Sequence, residues 1–150
     1  MGHTTQAGVD LIGFGPSAIS ELRSSYAQSQ REVPAWEAAV RERGVATMRG
    51  HRLSRADLER RWIINRILCH GELRAREYEE TFGRAFAEAY KPELASLEHA
   101  RGDGLVEIDA DGSFRTTPIG RLLVRPIAMA FDAYLPEQQK SGARIFSKTV

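Results

Sequence analysis

At 150 residues, 42% apolar and 27% charged, the chain has the composition of a folded globular protein long enough to bury a core. A formal net charge of +1 argues against a strong nucleic-acid binder and against a membrane-surface protein. The single cysteine, Cys69, excludes an internal disulfide and any three-thiolate metal cluster, and suits a reducing cytoplasm.

No apolar run approaches the roughly 20 residues of a membrane span, and Met1–Val9 lacks the apolar stretch of a secretory signal. Residues 1–8 read as loop, with His3 a solvated loop histidine. Val9 to Ile12 is a short apolar run of the kind found in a buried strand. It breaks at Gly13-Phe-Gly15-Pro16, where glycines permit positive φ and close backbone approach. Ser17 to Ser20 follow at the strand end, the place where α/β enzymes bind ligands. A strand without parallel neighbours does not stand alone, so this stretch reads as the last piece of a larger domain.

Glu21 to Arg31 is polar and predicts an irregular crossing, with Tyr26 and Gln28 either packing or lining a site. Val33-Pro34 opens a helix that Arg43-Gly44 closes, with Trp36, Ala39 and Val40 as its apolar stripe and Trp36 as a core anchor. Val45 to Arg52 predicts an extended loop carrying a small basic cluster, Arg49, His51 and Arg52. Ser54 to Asp57 resembles a capping box. It starts a strongly apolar-striped helix through Cys69, with Ile63 and Ile67 thickening the stripe. Cys69 and His70 are adjacent, so on a helix they point apart and do not form a metal pair; Cys69 reads as a small buried hydrophobe.

After Gly71 a shorter helix is expected over Glu72 to Phe82, then a turn placing Phe86 and Tyr90 on one face, and a helix over Pro92 to Arg101. Leu105 to Asp109 and Phe114 to Thr117 predict a hairpin about Asp111-Gly112. Thr117-Pro118 opens a final helix that Pro126 should kink, and a polar tail from Gln138 is expected to be pinned by Ile145-Phe146. The fold class expected is mainly α with a small β-hairpin (α+β). The order of helices, hairpin and helix suggests a winged-helix-like domain over 54–150. It is joined through a connecting segment, 21–53, to a terminal strand and loop, 1–20.

Several of these stretches occur together in one known family. Asp10-Leu-Ile-Gly-Phe-Gly-Pro-Ser-Ala-Ile-Ser20, Tyr26-Ala-Gln28, Gly120-Arg-Leu-Leu-Val-Arg125, Phe131-Asp-Ala-Tyr-Leu135 and Phe146-Ser-Lys148 resemble, in order and spacing, the C-terminal third of oxygen-independent coproporphyrinogen III oxidase. The resemblance implies a radical S-adenosylmethionine enzyme with a [4Fe-4S] cluster that oxidatively decarboxylates coproporphyrinogen III to protoporphyrinogen IX in haem biosynthesis. It implies a monomeric, cytoplasmic enzyme without nucleic-acid or membrane partners. The family's cluster motif, Cys-x3-Cys-x2-Cys, is absent here, so this stretch by itself should be catalytically silent and hold no tightly bound cofactor.

The resemblance carries a contact to the second S-adenosylmethionine onto Ile19. It places no catalytic residue and no metal ligand on this chain. A tetracarboxylate substrate calls for cations, arginines above all, and the candidates are Arg49, Arg52, Arg144 and Lys148. Three other readings compete: a haem-chaperone relative of the oxidase, a winged-helix nucleic-acid binder with 92–101 as recognition helix, and a lid or interaction domain.

Overall fold

A computed structural model describes residues 9–135. The predicted tail contact at Ile145-Phe146, and the candidates Arg144 and Lys148, lie outside the described residues. The chain divides into two compact units between Leu58 and Glu59.

The first unit contains β1 (Ile19–Leu22), β2 (Ser25–Ser29), α1 (Val33–Arg43) and β3 (Thr47–Arg52), and ends in the first turn of α2 (Arg55–His70). The strands form one antiparallel sheet in the order β1-β2-β3. Here the structure corrects the sequence reading twice. The expected crossing at 21–31 is mostly the β1–β2 hairpin, and the expected loop at 45–52 is largely a six-residue strand. The strands are polar and lack apolar alternation, so the period that marks a half-buried strand is missing; backbone pairing holds them instead.

A third correction concerns Val9–Ile12, which is not a strand. Leu11 alone forms an isolated bridge with Glu21, and Val9, Leu11 and Ile12 are 58, 42 and 56% exposed. α1 runs as predicted, with Pro34 in its first turn and Gly44 at φ 74° closing it through an N–H bond to the Val40 carbonyl. Trp36 is only partly buried; Ala39 is the buried residue of that helix. The capping box is formed: Ser54 N–H donates to Asp57 Oδ2 at 2.8 Å, and Asp57 N–H donates to Ser54 Oγ at 3.2 Å.

The second unit continues α2 and adds β4 (Glu72–Leu73), α3 (Ala75–Phe82), α4 (Phe86–Ala89), α5 (Lys91–Ser96), α6 (Glu98–Gly102), β5 (Val106–Ile108), β6 (Phe114–Thr116), α7 (Pro118–Leu122) and α8 (Val124–Met129). Its antiparallel sheet has the order β4-β6-β5. A helix, a short strand, further helices and a hairpin whose second strand pairs with that first strand form the winged-helix-like arrangement. The core gathers Ile63, Ile67, Leu73, Tyr78, Phe86 and Phe131 with their neighbours, all fully or almost fully buried. Aromatic edges and faces organise it: Tyr78 meets Phe86 edge-on at 5.2 Å, and Phe114 stacks on Phe131 at 5.8 Å.

Local departures from the predicted elements share a cause. Glu72-Leu73 leaves the helical path because β6 offers it a partner, Leu73 opposite Phe114. The single helix expected over 92–101 is two, α5 and α6, and the single kinked helix after Thr117 is α7 and α8. Pro126 lacks the N–H that would reach Leu122, and its ring crowds that carbonyl. The break at Leu123 (φ −112°, ψ 26°) puts Pro126 in the first turn of α8, where no intrahelical N–H is needed. Cys69 is partly exposed, not buried as expected.

Candidate functional site

The loop after Leu11 folds back on the edge of the first sheet. Gly15 takes φ 98°, and Ser17, a non-glycine residue, takes φ 58°. Ser17 N–H donates to the Gln30 carbonyl at 2.7 Å, and Gly13 N–H donates to Ser20 Oγ at 3.1 Å. Gly13 is glycine for closeness: an added Cβ would stand 2.7 Å from the Ile19 carbonyl oxygen. Leu11 and Glu21 exchange both backbone hydrogen bonds, at 2.7 and 2.8 Å. By the alternation of an antiparallel ladder, Ile19, two residues before Glu21, turns its own N–H and C=O to the same edge. Its side chain is 39% exposed. Ile19 thus offers a partly exposed apolar side chain and no acid–base group, while Gly13 covers its backbone edge.

Strand register decides which candidates share a face. Ile19 pairs with Gln28, and Gln28 with Arg49; Glu21 pairs with Tyr26, and Tyr26 with His51. Residues two apart along a strand lie on one face, so Ile19, Gln28, Arg49 and the Glu21–Tyr26–His51 row look the same way. Arg52, opposite Ser25, lies on the other face. The expected basic cluster is therefore split: Arg49 and His51 on one side, Arg52 on the other. Arg49 Nε donates to Gln28 Oε1 at 2.8 Å. His51 Nε2 lies 3.8 Å from Asp57 Oδ2. Gln28 as the partner of Arg49 was not singled out from the sequence; its place in Tyr26-Ala-Gln28 was the available signal.

The second unit holds a buried polar cluster of another kind. Glu59, 4% exposed, accepts from Tyr78 Oη at 3.0 Å and from Arg84, whose Nε also donates to Tyr78 Oη at 2.9 Å. Burial pushes the Tyr78 hydroxyl up to about 12, with the Arg84 hydrogen bond opposing and the Glu59 carboxylate adding to the rise. Tyr90 is raised as well, chiefly by burial. Arg60 stacks 5.2 Å from the Tyr90 ring while binding Glu93 at 2.7 Å and the Phe131 carbonyl at 2.9 Å. Tyr78 is buried among aromatic rings, with its hydroxyl donating to Glu59 and accepting from Arg84. Beside α8 lies a cleft of about 250 Å³, walled by Leu97, Leu105, Leu123 and Ile127, with His99 and Asp103 among its polar lining.

Residues 53–123, from just before α2 to the end of α7, match the model of the HemN C-terminal domain family. Over 99% of its length it is similar to the oxygen-independent coproporphyrinogen III oxidase of Salmonella typhimurium, at 41% identity, and to that of Escherichia coli, at 39%. The solved structure of coproporphyrinogen III oxidase (HemN) from Escherichia coli, a radical SAM enzyme, superposes with a TM-score of 0.79 at 39% identity. That match covers 87% of this chain and 30% of the other. The chain spans about a third (32%) of the length of the curated relatives it matches.

Proposed function

We propose that this chain is the C-terminal portion of an enzyme that converts coproporphyrinogen III to protoporphyrinogen IX without oxygen, in haem biosynthesis. The observation that carries this reading is the 41% identity to the Salmonella oxidase over 99% of the chain. It extends across both units, so the loop and sheet at 9–52 are included with the helical domain.

In this reading Ile19 meets the second S-adenosylmethionine through its partly exposed apolar side chain. A bound S-adenosylmethionine, cleaved by one electron from the cluster carried on the rest of the enzyme, would supply the radical that removes hydrogen from a propionate. The residues present do not fit the iron–sulfur cluster: Cys69 is the only thiol, and no group of three His, Cys, Asp or Glu among the described residues is arranged to hold a metal ion. Cluster binding belongs to the part of the relatives' length that this chain does not span. Among the candidates that lie in the described residues, Arg49 is the cation best placed to meet a propionate carboxylate, because it shares a face with Ile19. Arg52, on the opposite face, does not join it there. Among the described residues no helix is long and apolar enough to cross a membrane, and the single cysteine suits a cytoplasmic enzyme.

The coding sequence just upstream of the Met1 codon tests the reading. An in-frame segment with Cys-x3-Cys-x2-Cys, and anaerobic oxidase activity of its whole product, are expected. A stop codon directly upstream would overturn it.

A further inference from the structure

The geometry points to Gln28 as a positioning residue that presents Arg49 to a substrate carboxylate. This inference rests on the reading of Arg49 as a carboxylate-binding residue. It begins from the way a guanidinium divides its donors. Nε–H points sideways, while the two terminal nitrogens form a separate edge that matches both oxygens of a carboxylate.

In the sheet, Gln28 occupies the middle strand between Ile19 and Arg49. Its Oε1 accepts the Arg49 Nε–H at 2.8 Å. The direct cross-strand register holds the two backbones together, so one hydrogen bond fixes the plane of a long, exposed side chain. Among the described residues, no hydrogen bond or ion pair uses the terminal nitrogens of Arg49. The fork is oriented by a neutral partner and keeps its full charge for the ligand. An acidic partner would orient it equally well and neutralise it. Glutamine does the first without the second, and it stands in the same row as Ile19, so carboxylate and cofactor contacts share a face.

The test uses the 150-residue chain and coproporphyrin III, the oxidised fluorescent form with the same carboxylates, alongside its uncharged tetramethyl ester. Fluorescence titration reads affinity, and the ¹⁵N-detected Arg49 Nε–H signal reads the orientation. Wild type is expected to bind the acid and not the ester. Arg49→Ala should lose about tenfold or more in affinity, as removal of a charge-assisted contact does. Gln28→Ala should lose about three- to tenfold and the ordered Nε–H signal. Gln28→Glu should keep that signal and still lose affinity, a pattern that a merely structural glutamine does not give. Wild-type affinity in both Gln28 variants, with Arg49→Ala weakened, would overturn the role of Gln28 and leave Arg49 standing. Equal affinity of Arg49→Ala and wild type, or no binding of the acid by wild type, would overturn the reading of Arg49 and the inference with it.

Discussion

Gly120 shows how much a single position can carry. It is buried in α7, and a Cβ there would run into the Leu105 carbonyl, which already accepts the Thr117 N–H at 3.0 Å. The side chain is excluded by backbone, which yields far less readily than a side chain. Gly120→Ala is expected to destabilise the fold by about 1–3 kcal/mol or more, as overpacking does, read as a lowered urea midpoint. A midpoint equal to wild type would show that α7 shifts freely. Tyr78 carries a pH signature. Its hydroxyl sits near 12 in the folded state against 10.0 unfolded, so the folded state holds the proton more tightly. That contribution is complete below pH 10 and is lost as the pH rises towards 12, on the order of 3 kcal/mol in all. Urea midpoints from pH 8 to 12 should therefore fall more steeply for wild type than for Tyr78→Phe; parallel slopes would refute the assignment.

At the scale of elements, the signals that worked were chemical and local. The capping box at Ser54–Asp57, the glycine stop at Gly44 and the Asp111-Gly112 hairpin all formed where the sequence placed them. Ser54→Ala should cost about 1 kcal/mol, seen in the melting temperature, and Ser54→Asp should recover most of it; no change on Ser54→Ala would mean that the Asp57 bond alone holds the helix start. Elements with no local signal were missed. β1, β2 and β3 are polar, and β4 is two residues long; each exists because another strand lies beside it. The sequence showed Arg49, His51 and Arg52 as one basic cluster, and only the register with β2 separates Arg52 from the other two. For the same reason Gln28 was visible as part of a motif but not as the partner of Arg49.

For the whole molecule, two predictions follow from the donor set and the exposed surface. Anaerobic reconstitution of this chain with iron and sulfide should give no cluster absorbance, since one thiol is available; a bound four-iron cluster would sink this expectation. Phe14 is 90% exposed beside the exposed Leu11 and Ile12, an apolar edge suited to contact. Phe14→Ser should reduce concentration-dependent association in sedimentation, and a wild-type monomer at all concentrations would count against that edge being sticky. The stretch that a competing nucleic-acid-binding reading would use as its recognition helix, 92–101, is two short helices carrying Glu93, Glu98 and Asp103 on or beside them. Acidic groups there oppose phosphate contact.

The sequence by itself determined the helix boundaries set by caps, glycines and prolines, the Leu105–Thr117 hairpin, the α+β class and the family. Each depends on residue types at short spacing, and short spacing is what a sequence displays. Tertiary structure alone decided that polar stretches become a sheet, that Pro126 begins a new helix rather than bending an old one, and that Ile19, Gln28 and Arg49 fall in one row. Strand register and backbone contact join residues far apart in the chain, and a one-residue shift would turn every side chain to the opposite face.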